Sequence, residues 1–208
     1  MTTFYYSTNS CSLGIRVILE EIGLPYHAVR IDFRSREQFG AAFSAVNPKR
    51  KVPALVRNDG SVLTEFQAIA HWLARTNPEA GLLPEDLEGQ IRVMEAMDFM
   101  VASVHMRGFT FIIAPGKFSA NPEAQADLVA HGRDQVAIGL DRLAEVMRAA
   151  DWLMGRYSIA DAALFYLTHW ATARDLPMPD TIAAFHRRML ARPAVQRALV
   201  GEGLQAAA

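Results

Sequence analysis

Residues 1–78 read as an α/β half and residues 87–208 as an all-helical half, joined by a linker at 79–86. Three observations predict this. The first half carries the element order β-α-β-α-β-β-α. The stretch Asn77–Asp86 holds two prolines and a glycine, a composition that breaks regular structure. Beyond it the apolar residues recur at helical spacing, and the one strand-like run is the brief Phe109–Ile113.

Each element has its own signal. Thr3–Tyr6 is aromatic-rich and opens the chain as a strand. Ile15, Ile18, Leu19 and Ile22 share one face of a helix, which Gly23 closes and Pro25 keeps from resuming. His27–Ile31 is a second strand and Arg34–Phe43 a short, charged helical stretch, with a turn at Asn47-Pro48. Val52–Val56 forms the next strand. Asn58-Asp59-Gly60 turns the chain into Val62–Leu63 as a hairpin. Phe66–Arg75 is a helix with Ile69, Trp72 and Leu73 inward. Helices between the early strands imply parallel pairing, and the hairpin adds an antiparallel edge. The second half predicts helices at Leu87–Arg107, Asn121–Ala149, Ile159–Ala173, Thr181–Ala191 and Pro193–Leu199, then an alanine-rich tail at Gln205–Ala208.

Composition narrows the function classes. The chain has 208 residues, 51% of them hydrophobic, and a formal net charge of −1. A charge near zero, with no basic run longer than Lys49-Arg50-Lys51, argues against nucleic acid as a partner. The single cysteine forbids an internal disulfide and fits a reducing, cytoplasmic setting. The first residues lack a secretory pattern, and the apolar stretches Gly108–Pro115 and Ile159–Trp170 are too short or too polar for a membrane span. Paired cysteines, metal-binding histidine pairs and phosphate-binding loops are lacking, so the expectation is a chain without a metal.

Five segments carry a family resemblance. They are Phe4-Tyr5-Tyr6 with Cys11-Ser12-Leu13, Asn47 through Leu55, Leu63-Thr64-Glu65, Tyr157 through Asp161, and Arg192-Pro193-Ala194-Val195. In that order and at that separation they resemble the cytosolic glutathione S-transferases, above all the bacterial beta class. The resemblance covers essentially the whole chain. It implies a thioredoxin-like glutathione-binding domain at 1–78, a helical-bundle domain at 87–208 contributing the electrophile site, and a homodimer.

The candidate site residues follow. Cys11 lies just before a helix, where unpaired N–H groups and the helix dipole favour a thiolate. Alternatively it is a small buried apolar residue. By resemblance Cys11 sits beside the glutathione sulfur, and Val52-Pro53 is a cis peptide whose valine backbone pairs with the cysteinyl unit of glutathione. Glu65 either caps the next helix or holds the γ-glutamyl ammonium, with the Phe66 N–H at the helix N-terminus as an anion site. Phe66 stands where the family has serine, and Arg50 where it has glycine, often a sign of positive φ. Arg36 and Lys51 reach for the glycyl carboxylate or are solvated surface charges. Met94, Asp98, Val101 and His105 fall on one helical stripe, with the two polar residues roughly 10 Å apart along the axis. By resemblance His105 lies near the sulfur and Asp98 reaches the γ-glutamyl end of the partner subunit's ligand. Phe109, Phe111, Ile112 and Phe118 line an apolar second-substrate pocket or belong to the core. Ser158 and Asp161 form a capping-box pattern, a stability feature outside the site. Trp152, Phe165, Tyr166 and Trp170 are core.

These readings imply a detoxifying transferase that joins glutathione, as co-substrate, to small hydrophobic electrophiles. The alternatives are a glutathione-dependent thiol–disulfide reductase or peroxidase, resolved by a second glutathione, and a non-catalytic ligand-binding homologue.

Overall fold

The computed structural model describes residues 1–148 and 150–204. Ala149, the expected end of one helix, and the tail Gln205–Ala208 lie outside the described residues. Contacts divide the chain into two compact units: Met1–Leu83 with the stretch from Met189 onward, and Pro84–Arg188. The last helix therefore clusters with the first unit, where the sequence reading assigns all of 87–208 to the helical domain.

In the first unit, strands β1 (Thr3–Tyr6), β2 (His27–Arg30), β3 (Ala54–Val56) and β4 (Val62–Thr64) form one sheet in the order β2-β1-β3-β4. β1 and β2 are parallel, as the helix between them requires. β3 runs antiparallel to β1, which corrects the parallel pairing expected for it, and β4 completes the hairpin. Arg34–Phe43 resolves into a 3-10 turn at Glu37–Phe39 and a six-residue helix α2, Ala41–Val46.

Helix α1 (Ser12–Ile22) buries Leu13, Ile15, Val17, Ile18 and Leu19, so its apolar face is wider than the pattern required. It ends on Gly23 at φ 75°, whose N–H returns to the Leu19 carbonyl. That left-handed cap is cheap for glycine alone. Helix α3 (Phe66–Thr76) buries Ile69, Ala70 and Leu73.

The second unit is helical: α4 (Leu87–Ile113), α5 (Pro122–Met147), α6 (Ile159–Thr172) and most of α7 (Asp180–Leu190). The final helix, α8 (Pro193–Gly201), belongs to the first unit. Phe109–Ile113 is helical rather than extended, and of its two expected placements Phe109 takes the core one, fully buried against Trp170. In addition, α4 winds as a π-helix over Met100–Phe109. By length and composition alone α4 is apolar enough to cross a membrane. It nevertheless carries Arg92, Asp98 and Arg107 and packs Val93, Met97, Met100 and Val104 into the unit's core. Close approach to α5 is permitted by Gly132, where a Cβ would stand 2.7 Å from the Gly108 carbonyl oxygen.

Helix α6 is buried along most of its length, including Phe165, Tyr166 and Trp170. Its capping box is formed: Asp161, fully buried, accepts the Ser158 N–H at 2.8 Å. Asp161 also accepts the Leu153 N–H at 2.9 Å, holding the preceding loop.

Candidate active site

In the first unit, Cys11 is the N-cap residue of α1 and is partly buried. Its loop is tied by Ser12, whose Oγ donates to the Ser7 carbonyl at 3.2 Å and accepts the Ser7 N–H at 3.3 Å. The Cys11 Sγ lies 3.7 Å from the Val52 carbonyl oxygen, within reach of an S–H donor. Val52-Pro53 is cis, as the resemblance implies. Thus the thiol and the strand edge, 41 positions apart in sequence, are brought together.

The thiolate expectation is corrected. Burial pushes the Cys11 thiol up to about 12; local backbone N–H groups oppose this, while Glu202 and Glu65 add to it. Desolvation of the anion outweighs the helix-terminus effect here. Cys11 is therefore a neutral S–H donor in the free protein.

The turn before Val52 is organised by buried Asn47. Its Nδ2 donates to the Lys51 carbonyl at 2.7 Å, and its Oδ1 accepts the Lys49 N–H at 3.1 Å. Arg50 adopts φ 57°, so the positive φ suggested by glycine in the family is kept, by a residue that pays for it in backbone strain. Arg36 and Arg50 both lie over the Phe39 ring, at 5.0 and 5.6 Å from its centroid. Arg36 and Lys51 are exposed.

Glu65 caps no N–H with its side chain. It stands at φ 72°, ψ 130°, outside the ordinary regions, and Lys49 Nζ contacts its Oε1 at 2.6 Å. Such outliers concentrate where a side chain is held for binding. Lys49 is thus a cation paired with Glu65 at this end of the site. Phe66 is only 6% exposed, so its bulk is stowed rather than presented where the family places a hydroxyl.

Asp98 and His105 belong to the second unit. The π-helical winding changes the residues per turn, so the expected stripe does not hold one face: Met94 and Asp98 are exposed, while Val101 and His105 are half-buried. His105 sits in an aromatic cluster. Its Nδ1 is 3.3 Å from the buried Tyr166 hydroxyl, and its ring meets Trp170 edge-on at 4.9 Å. Phe111 and Phe118 pack together at 4.8 Å, with Phe118 half exposed.

The sequence reading missed a buried ion pair beneath the Cys11 loop. Glu202, just after α8, is 3.6 Å from Arg16 Nε, with the two side chains 0% and 5% exposed. Its Oε2 accepts the Asn9 N–H at 2.8 Å. The available signal was an acidic residue interrupting the apolar run Leu199 to Leu204.

The comparisons with known proteins agree with this geometry. Residues 10–76 match the family model for the glutathione S-transferase N-terminal domain. Glutathione S-transferase GstA of Escherichia coli O157:H7 is 36% identical over 206 residues, covering 97% of this chain and 98% of that protein. The chain belongs to the glutathione S-transferase family. Among solved structures, a glutathione transferase homologue from Sulfitobacter with bound glutathione superposes at TM-score 0.88, with 28% identity and 99% of each chain covered. The beta-class glutathione S-transferase of Sphingomonas chungbukensis superposes at 0.83, with 28% identity, covering 98% of this chain and all of that one. This transferase therefore has the family's thioredoxin-like domain and helical domain.

Two buried groups of this transferase give opposite pH responses. His186, 2.9 Å from the Thr168 hydroxyl, is pushed down from 6.5 to about 4 by burial. The unfolded chain binds that proton first, so its stabilisation is complete above 6.5 and lost as pH falls towards 4. Glu202 is lifted by burial from 4.5 to about 7, so its contribution is complete below 4.5 and lost as pH rises through 7. Relative to His186→Gln, the natural protein is expected to lose about 3 kcal/mol across the histidine window on acidification. Relative to Glu202→Gln it is expected to lose stability in the other direction. Urea unfolding at a series of pH values measures both.

Proposed function

We propose that this chain is a cytoplasmic, homodimeric transferase that conjugates glutathione to small hydrophobic electrophiles, a detoxifying activity. The observation that carries this reading is the meeting of the Cys11 thiol with the Val52 carbonyl at 3.7 Å. The family resemblance gives that strand edge to the cysteinyl backbone of glutathione, so a sulfur bound there lies beside Cys11. Glutathione bound in the Sulfitobacter homologue supports the same ligand.

In this reading each residue has a role. Val52 pairs with the peptide, Glu65 holds the γ-glutamyl ammonium, and the Phe66 N–H at the start of α3 faces its carboxylate. Arg36 and Lys51 receive the glycyl carboxylate. Cys11 donates its S–H to the glutathione sulfur, which favours the ionised nucleophile. His105 assists at the sulfur, and Asp98 reaches the γ-glutamyl end of the ligand in the partner subunit. Phe111, Ile112 and Phe118 offer apolar contact to the electrophile. The homodimer is supported by an exposed apolar row on α4, Leu87, Ile91 and Met94. The lone cysteine suits a reducing compartment.

A neutral Cys11 favours conjugation over disulfide reduction, which needs the thiolate as attacking group. The stowed Phe66 side chain removes the bulk that would favour a non-catalytic carrier. The test is retention on immobilised glutathione together with conjugation of a chlorinated dinitrobenzene. Retention and turnover are expected; a chain that does neither is not this enzyme. Glu65→Ala is expected to raise KM for glutathione by about 10- to 100-fold, the worth of one charge-assisted hydrogen bond. Its Tm should hardly move, because the Lys49–Glu65 pair is exposed.

A further inference from the structure

We infer that Glu202 is a positioning residue for the thiol: it ties the loop carrying Cys11 to the end of the last helix, and its charge holds Cys11 as an S–H donor. The inference rests on the reading of Cys11 as a neutral donor given above.

The geometry is a buried three-way junction within the first unit. The Glu202 N–H closes the end of α8 on the carbonyls of Ala198 and Leu199. Its carboxylate is 0% exposed and points back at the N-terminal loop. One oxygen accepts the Asn9 N–H at 2.8 Å; the other faces Arg16 Nε at 3.6 Å. Asn9 is in the left-handed region at φ 54°, two positions before Cys11, so the carboxylate anchors the bend that delivers the thiol. Arg16, on α1, lies 4.1 Å above the centroid of the Tyr6 ring, which fixes the cation on its other side. Gly201 leaves the room Arg16 needs; a side chain there would collide with the guanidinium.

Among the described residues the charged and titratable groups around Glu202 are few, and Glu65, just before α3, also bears on Cys11. Arg16 faces Glu202 from α1, Cys11 from the loop, and Tyr26 from the segment after α1. Tyr26 donates to Glu20 at 2.7 Å, and Glu20 in turn pairs with Arg197 of α8. A carboxylate buried this close to the loop disfavours a second negative charge on Cys11, since water cannot screen the two. Burial also places the Glu202 ionisation near neutrality, so the hold on the thiol strengthens as pH rises through that range.

Because Cys11 is the only cysteine, iodoacetamide alkylation of the full-length protein reports it alone. The rate is followed from about pH 6 to about pH 10, spanning the ionisation of a buried carboxyl and of an ordinary thiol. In the natural protein the logarithm of the rate should rise with pH but flatten near neutrality, as Glu202 ionises. Glu202→Gln keeps an acceptor for the Asn9 N–H and removes the charge. Its profile should lose the flattening and run about three- to tenfold faster at alkaline pH. Should Glu202→Gln not fold with Arg16 left unpaired, Arg16→Gln/Glu202→Gln carries the same comparison without the orphaned cation. A natural profile rising in proportion throughout, or variant profiles that overlay it, overturns the inference, even if the variants melt earlier. No glutathione is used, so failure of glutathione binding bears on the proposed function and not on this result.

Discussion

Replacing Asp161 with alanine is expected to cost about 4 kcal/mol of stability and leave glutathione contacts untouched. The side chain is fully buried and accepts two buried backbone N–H groups, from Ser158 and Leu153. Truncation strands both donors where water cannot reach them, at about 1–3 kcal/mol each. It also removes half of the capping box at the start of α6, the helix that supplies Phe165, Tyr166 and Trp170 to the core. Set against a typical total of about 5–15 kcal/mol, the loss leaves little margin. Asp161→Asn keeps one carbonyl acceptor and should lose less. Urea midpoints and glutathione affinity measured on the same variants separate the roles: unchanged stability with weakened affinity would make Asp161 a ligand contact.

The second large effect is expected at Cys11. In the proposed reading, Cys11→Ala removes a donor from the position where the glutathione sulfur gathers negative charge. One hydrogen bond to a charged group is worth about 1.5–3 kcal/mol, so kcat/KM for conjugation should fall roughly 10- to 100-fold. Cys11→Ser retains a donor and should recover part of the loss. A nucleophilic thiolate predicts the opposite pattern, with serine as inactive as alanine in disulfide reduction and conjugation unchanged in both. Steady-state kinetics of the three proteins in both assays measures this.

What the sequence reveals here is mostly local. Gly23 marks the end of α1 because only a left-handed residue closes that helix cheaply, and Ser158 with Asp161 marks α6 because the cap needs two groups at fixed spacing. The positive φ at Arg50 was legible only as a departure from the family's glycine. Features set by burial and by distant partners were not legible. Cys11 looked like a thiolate because helix position can be read from sequence and desolvation cannot. Glu202 meets Asn9 across 193 positions, and no periodic pattern carries that information. The π-helical winding of α4 moved Asp98 and His105 off their expected common stripe, since a 3.6-residue period assumes an unbroken α-helix. The antiparallel direction of β3 is not legible because it depends on how the connection packs, and the helix there is shorter than the sequence pattern predicts.

In the proposed function this protein binds glutathione with its sulfur beside a neutral Cys11 and lowers the thiol's pKa there. Ultraviolet absorbance of the glutathione thiolate, titrated against pH with and without saturating protein, tests it directly. Saturable binding is expected, with a bound thiol that ionises at lower pH than free glutathione and a shift that is reduced in Cys11→Ala. A bound thiol that ionises at its free value, or a shift that Cys11→Ala leaves intact, would contradict it.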